Sequence, residues 1–86
     1  MKHAGQHALH ALEGLLQELR RFGELRERSR GVFYIGSKAF LHFHEDPTGL
    51  YADLKTGTDF ERFEVGTQAQ RRALVRSVKQ QLGLGA

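Results

Sequence analysis

Cysteine is absent from the chain, and only one of its residues is proline. Without cysteine the protein has no disulfide bonds and no thiolate metal ligands, so packing must hold the fold, and a reducing cytoplasm is the natural setting. No apolar run approaches the roughly 20 residues that cross a bilayer, so we expect no membrane partner. Eighty-six residues with 40% hydrophobic and 27% charged side chains indicate a single small globular domain, residues 1–86.

Charge is unevenly distributed along the chain. Residues 31–66 hold three basic and six acidic side chains, a net charge of −3. Residues 67–86 hold four basic side chains and no acidic one, a net charge of +4, and residues 1–30 contribute six minus four, or +2. Because a phosphate backbone is repelled by acidic groups, this distribution favours the terminal segments over the middle for any contact with nucleic acid.

Hydrophobic periodicity divides the chain into a helix, a group of strands and a second helix. Apolar residues recur at steps of three and four over residues 5–22, and Thr67 with Gln70 forms a capping box before a closing helix. Between the helices the period is two, and turn signals at residues 36–37, 46–49 and 56–59 predict a four-stranded antiparallel meander. The segment ELRERSR is a candidate for an extra edge strand. The predicted fold is α+β, with both helices on one face of the sheet.

The turn positions also set the register of the strands, which divides their side chains between two faces. The face toward the helices is predicted to carry Val32, Tyr34, Ala39, Leu41, Phe43, Leu50, Ala52, Leu54, Phe63 and Val65. The uncovered face is predicted to carry Phe33, Phe40, His42, His44, Tyr51, Asp53, Lys55, Phe60, Arg62 and Glu64.

Two histidines and an aspartate come together on the uncovered face in this register. Two imidazoles at positions i and i+2 with a carboxylate can bind zinc or nickel, so His42, His44 and Asp53 are a candidate metal site. The same residues can instead form an ionic and hydrogen-bonded ladder, because Arg62 competes for the carboxylate. Such a ladder would include the polar residues of this face, which are His42, His44, Tyr51, Asp53, Arg62 and Glu64.

Other chemistry receives less support from the sequence. The N-terminal histidines His3, His7 and His10 fall on one helical face, but chain ends fray, and we assign them no metal role. No serine or cysteine nucleophile shares the face with His42 and Asp53, and no glycine-rich phosphate loop follows a strand. We therefore predict neither enzyme activity nor a cofactor.

Three phenylalanines gather with Lys55 at one end of the uncovered face in the predicted register. Exposed together, Phe33, Phe40 and Phe60 would be costly in a monomer, which predicts a protein interface, most simply a homodimer. One alternative is a platform on which single-stranded nucleic acid stacks, although the acidic residues of this face oppose it. Another is that the segment ELRERSR folds over the three rings.

Residues 15–55, which read LLQELRRFGELRERSRGVFYIGSKAFLHFHEDPTGLYADLK, resemble the MmcQ/YjbR-like family of small bacterial proteins. The similar features are a helix ending in glycine, a short charged segment, the hairpin VFYIGSKAFLHF and a strand resembling LYADLK. The resemblance implies a compact α/β fold and DNA binding through winged hairpins. This chain departs from the family pattern in placing another strand, DFERFEV, after the third strand, and in carrying acidic residues on its hairpins.

The sequence therefore predicts a non-catalytic binding or assembly module that works through the uncovered face, with metal binding there as one alternative. DNA binding is the other alternative, and it rests on basic residues of the two predicted helices. Solvated helix faces often carry such residues without binding nucleic acid. The residues are Arg20, Arg21, Arg71, Arg72 and Arg76.

Overall fold

The computed structural model describes residues 2–84 and shows an α+β fold built on one antiparallel sheet. The helices are α1 (Gln6–Ala11), α2 (Glu13–Leu19) and α3 (Gln68–Gln81). The strands are β1 (Lys2–His3), β2 (Arg26–Ser29), β3 (Val32–Ile35), β4 (Lys38–Asp46), β5 (Gly49–Thr56) and β6 (Asp59–Glu64). The strand order is β2-β3-β4-β5-β6, and β1 pairs with the end of β4.

Six strands lie within residues 2–84, where the sequence pattern predicts four. One of the two additional strands, β2, is the edge strand anticipated in the segment ELRERSR. The other, β1, is only two residues long, so it has no alternating pattern by which it could be recognised. The four predicted strands correspond to β3, β4, β5 and β6.

The predicted first helix is divided into α1 and α2 at Leu12, whose backbone angles are φ −96° and ψ 5°. The apolar stripe continues across the break, because Leu12, Leu16 and Leu19 are all fully buried. The capping box before α3 is confirmed: the Gln70 N–H donates to Thr67 Oγ1, and the Thr67 N–H donates to the Gln70 side chain. Within residues 2–84, no helix combines the length and the apolar character needed to cross a membrane.

The hydrophobic core lies between the helices and one face of the sheet. Buried side chains from all three helices and from the central strands form a single cluster. Its members from β4, β5 and the residue after β6 are Phe40, Leu41, Phe43, Ala52, Leu54 and Val65. The helices therefore pack on the sheet face that carries Leu41 and Phe43, and His42, His44 and Asp53 belong to the opposite face.

The registers of β4 with β5 and of β5 with β6 are those that the turn positions predict. His42 lies opposite Asp53, and Asp53 lies opposite Arg62. His44 lies opposite Tyr51, which in turn lies opposite Glu64. Both loops are short enough to fix the pairing, and the alternation of apolar and polar residues agrees on all three strands.

A β-bulge changes the register between β3 and β4. Tyr34 pairs with Ala39 as predicted, but Phe33 pairs with Leu41 instead of Phe40. Phe40 is the extra residue in β4, and an extra residue reverses the alternation of side chains on one side of it. The predicted pairing of Phe33 with Phe40 is therefore wrong.

The bulge also removes the predicted cluster of exposed phenylalanines. Phe33 turns toward the helices and is 1% exposed, and Phe40 is 6% exposed and joins the same buried cluster. Val32, predicted to face the helices, instead pairs with His42 and shares its face. Phe60 is 43% exposed, and Lys55 is its cross-strand partner. The predicted patch of three exposed rings beside Lys55 is wrong for Phe33 and Phe40.

Candidate metal centre

A cluster of buried and half-buried polar side chains lies on the sheet face opposite the helices. His42 and His44 leave β4 on the same side because they are two residues apart, and Asp53 on β5 is the direct neighbour of His42. His44 and Asp53 are each only 8% exposed. Buried polar groups need partners, so the contacts within this cluster indicate what it can do.

The donor atoms of the three residues converge. His42 Nδ1 and His44 Nε2 form a hydrogen bond of 2.8 Å, which an ion would replace, and His44 Nε2 lies 3.1 Å from Asp53 Oδ2. One potential ligand atom from each residue can be chosen so that all three lie within 4.8 Å of one another. Ligand atoms that sit about 2.1 Å from a tetrahedral zinc ion are roughly 3.4 Å from one another. The three side chains would therefore have to rotate by small amounts before they could share an ion.

Arg62 holds the carboxylate of Asp53 from the neighbouring strand. Its Nε donates to Oδ1 and its Nη2 donates to Oδ2, both at 2.8 Å. These hydrogen bonds, more than any other interaction, lower the pKa of Asp53 below its ordinary value. This ion pair is the cross-strand interaction that the sequence predicts as an alternative to a metal site. It also fixes the orientation of the Asp53 carboxylate toward His44.

Burial acts on the two imidazoles in the direction that keeps them neutral. Burial is the largest cause of the lowered pKa of His42, and the charge that His44 would carry is the next. Burial is also the largest cause of the lowered pKa of His44. The backbone of Lys2 acts weakly in the opposite direction on His44. Nevertheless, among residues 2–84, the buried Nδ1 of His44 finds no hydrogen-bond partner of acceptable geometry.

The other residues of the predicted polar face do not all join the cluster. The hydroxyl of Tyr51 is 2.7 Å from Thr48 Oγ1, so it contacts the turn between β4 and β5. Glu64 is exposed on the edge strand β6. The ring of Phe60 lies 5.0 Å from that of His42, centroid to centroid, and so contacts the edge of the cluster at His42.

His3 is the residue near the site that the sequence pattern misplaces. The pattern groups it with His7 and His10 on a helix, but His3 lies in β1 and pairs directly with His44. Its ring centroid is 4.9 Å from that of His44 and 5.9 Å from that of His42. The pairing of β1 with β4 is a long-range contact, and a two-residue strand leaves no periodicity that could reveal it.

The arginines proposed for nucleic-acid binding differ in availability. Arg20 donates to both Glu13 and Glu27, and Arg71 Nε donates to the Val65 carbonyl at 2.8 Å. Hydrogen bonds from Arg30 and Arg20 lower the pKa of Glu13 to about 2, so this carboxylate remains charged at neutral pH. The other three arginines predicted to bind nucleic acid are exposed: Arg21, Arg72 and Arg76.

Comparisons with known proteins assign no family to the chain. Protein-family models, curated proteins and solved structures were all compared with it, and none gives a significant match. The resemblance to the MmcQ/YjbR-like family stays a prediction.

Proposed function

We propose that the protein binds a divalent transition-metal ion, zinc or nickel, through His42, His44 and Asp53. The observation that supports this proposal is the convergence of one potential ligand atom from each of the three residues to within 4.8 Å. Imidazole nitrogen combined with carboxylate oxygen suits these ions, and strand geometry directs residues i and i+2 to the same side. Binding of the ion, without catalysis, is the function that we assign to this sheet face.

The protonation states of the three residues favour the proposal. A metal ion requires neutral imidazoles and an ionised carboxylate. The pKa values of His42 and His44 are lowered by burial, and the pKa of Asp53 is lowered by Arg62. At neutral pH the ion would therefore displace few protons, and its affinity would not be reduced by competition with them.

Arg62 is compatible with an ion at this site. A carboxylate has about four lone-pair positions, and Arg62 occupies one on each oxygen of Asp53. Carboxylates that bind metal ions are commonly oriented by hydrogen bonds to a second group. We assign this orienting role to Arg62, whose guanidinium is on the exposed side of the cluster.

The two other hypotheses about function stay predictions. A homodimer interface now rests on Phe60, because Phe33 and Phe40 are buried in the core. DNA binding rests on the exposed arginines of the helical segments. A cytoplasmic location likewise stays a proposal, based on the absence of cysteine.

Isothermal titration calorimetry with zinc chloride or nickel chloride tests the proposed site. We expect the parent protein to bind one ion, and we expect His42→Ala/His44→Ala to lose more than about 100-fold in affinity, since outer partners alone account for roughly 10 to 100-fold. His7→Ala/His10→Ala is the matched control, because it removes two exposed histidines of α1 and should leave affinity unchanged.

Circular dichroism of the variants verifies that they remain folded. Absence of binding by the parent protein, or equal affinity in the parent protein and the strand double variant, would refute the proposed site. Loss of affinity only in the α1 double variant would assign the bound ion to the N-terminal helix instead.

A further inference from the structure

We infer that His3 is an additional ligand of the proposed metal site, and that ion binding fixes β1 against β4. This inference rests on the proposed function. Its basis is the position of β1, which pairs His3 with His44 and brings a third imidazole beside the cluster. The His3 ring centroid lies 4.9 Å from that of His44 and 5.9 Å from that of His42.

The chain around His3 is attached to β4 by several polar contacts. The Ala4 N–H donates to the Phe43 carbonyl at 3.1 Å, and the Gly5 N–H donates to Glu45 Oε2 at 2.5 Å. Lys2 Nζ lies 3.9 Å from Glu45 Oε1, and these two residues are also paired in the sheet. Glu45 thus contacts the segment on both sides of His3, which fixes the position from which the His3 side chain leaves the backbone.

The side chain of His3 retains freedom to complete a site. The compact group of potential ligand atoms consists of His42, His44 and Asp53, and His3 lies outside it. His3 is exposed, so its ring can change rotamer without disturbing the core. The inference requires the ring to rotate toward His42 and His44, whose ring centroids are 5.9 and 4.9 Å away.

A third imidazole would change the kind of site. His42, His44 and Asp53 alone give three protein ligands and leave one position of a tetrahedral zinc ion open. With His3 the set becomes three nitrogens and one oxygen, which closes the tetrahedron as in structural zinc sites. The site would then link β1, β4 and β5 in addition to binding the ion.

The same ligand would stabilise the attachment of β1. Both residues of β1 are exposed, so the burial of apolar surface contributes little to holding this strand in place. An ion that binds only when His3 is in position stabilises that position by mass action. We therefore expect zinc to protect the backbone amides next to His3 from hydrogen exchange.

Two measurements on the parent protein, His3→Ala and His7→Ala test this inference. In zinc titration calorimetry, we expect His3→Ala to lose more than about 100-fold in affinity, which exceeds the roughly 10 to 100-fold loss caused by removing an outer partner, while His7→Ala matches the parent protein. In hydrogen exchange, zinc should slow exchange at the Ala4 amide, which bonds to Phe43, in the parent protein and in His7→Ala. It should have no such effect in His3→Ala.

The outcomes separate this inference from the proposed site. If the parent protein binds zinc, and His3→Ala binds it with equal affinity and equal protection of the Ala4 amide, the role of His3 is overturned while the three-residue site stands. If the parent protein binds no zinc at all, the proposed function and this inference both fail.

Discussion

Neutral imidazoles and an ionised carboxylate occupy one buried patch because their surroundings act on them differently. Burial disfavours the charged form of His42 and His44, and so lowers the pKa of each. The pKa of Asp53 would rise for the same reason, but two hydrogen bonds from Arg62 outweigh burial and lower it. At the scale of single residues, Arg62 is therefore the group that keeps a negative charge next to the two neutral rings.

These pKa shifts predict that stability falls in weak acid. The pKa values of the two rings in the folded protein lie below the ordinary 6.5, so between the lowered values and 6.5 the unfolded chain binds more protons than the folded one. The free energy of unfolding should therefore decrease as pH falls through this window, by at most about 1.4 kcal/mol per pH unit for each ring. Above pH 6.5, the two histidines should cause no further change in the free energy of unfolding.

Urea denaturation at pH values from 8 to 4 measures this effect. The matched variant His42→Gln/His44→Gln removes both titrating groups and should show a flatter dependence on pH in the same window. A parent protein whose stability rises as pH falls from 6.5 would contradict the assigned direction. Asp53 should cause a separate loss of stability below about pH 3.8, because its pKa is lowered in the folded state and the unfolded chain therefore binds the proton more readily.

At the scale of elements, the bulge in β4 determines which aromatic side chains are available to other molecules. The alternating pattern predicts the registers of β4, β5 and β6 correctly, because short loops and agreement between faces allow one pairing. The same pattern gives the wrong register for β3. Phe33 and Phe40 are both apolar, and both predicted faces carry apolar residues, so the pattern cannot decide which face these two residues occupy. The site residues on β4, β5 and β6 could thus be grouped from the sequence, whereas the burial of the two phenylalanines could not.

The connection between β2 and β3 also depends on a special backbone conformation. Gly31 has a φ of 79°, and a Cβ atom at this position would lie 2.6 Å from Leu9 Cδ2. Leu9 is buried in the core, so its side chain would have to shift from its packed position to make room for the added atom. The Gly31 N–H also donates to Glu27 Oε2 at 2.9 Å, which fixes the turn against β2.

We predict that Gly31→Ala lowers the free energy of unfolding by about 2 to 4 kcal/mol, since backbone strain of roughly 1 to 3 kcal/mol is added to a steric clash. Gly36→Ala is the control, because Gly36 has a φ of 59° with no atom within 4 Å of the added Cβ. It should show the backbone cost alone, of roughly 1 to 2 kcal/mol. Equal losses in urea denaturation of the two variants would show that the contact with Leu9 has no effect.

For the whole molecule, the ion pairs reduce the positive charge that is free to meet a phosphate backbone. Glu13 pairs with both Arg20 and Arg30, and Arg20 also pairs with Glu27. These contacts join α2 to β2 and to the turn that follows it. Arginines engaged in this way support the packing of the helix, so a count of arginines in the sequence overstates the capacity of the helices to bind DNA.

If DNA does bind, the exposed residues Arg21, Arg72 and Arg76 would supply the contacts. About three phosphate contacts predict that affinity for duplex DNA falls by only about 40-fold between 50 and 200 mM salt. Fluorescence anisotropy with a labelled duplex measures this dependence. Arg72→Gln/Arg76→Gln should make the decrease of affinity with salt less steep, by the amount expected for about two phosphate contacts. The absence of binding at 50 mM salt would exclude the DNA-binding hypothesis.

The position of β1 has a consequence for how the molecule is assembled. Gly5 and Glu45, which join the N-terminal segment to β4, are separated by 40 residues in the sequence. During synthesis, β1 leaves the ribosome long before the strand that it pairs with, and a contact between distant residues forms slowly because the intervening chain must first close a loop. His3 therefore has no partner until β4 has been synthesised, although it is made about 40 residues earlier.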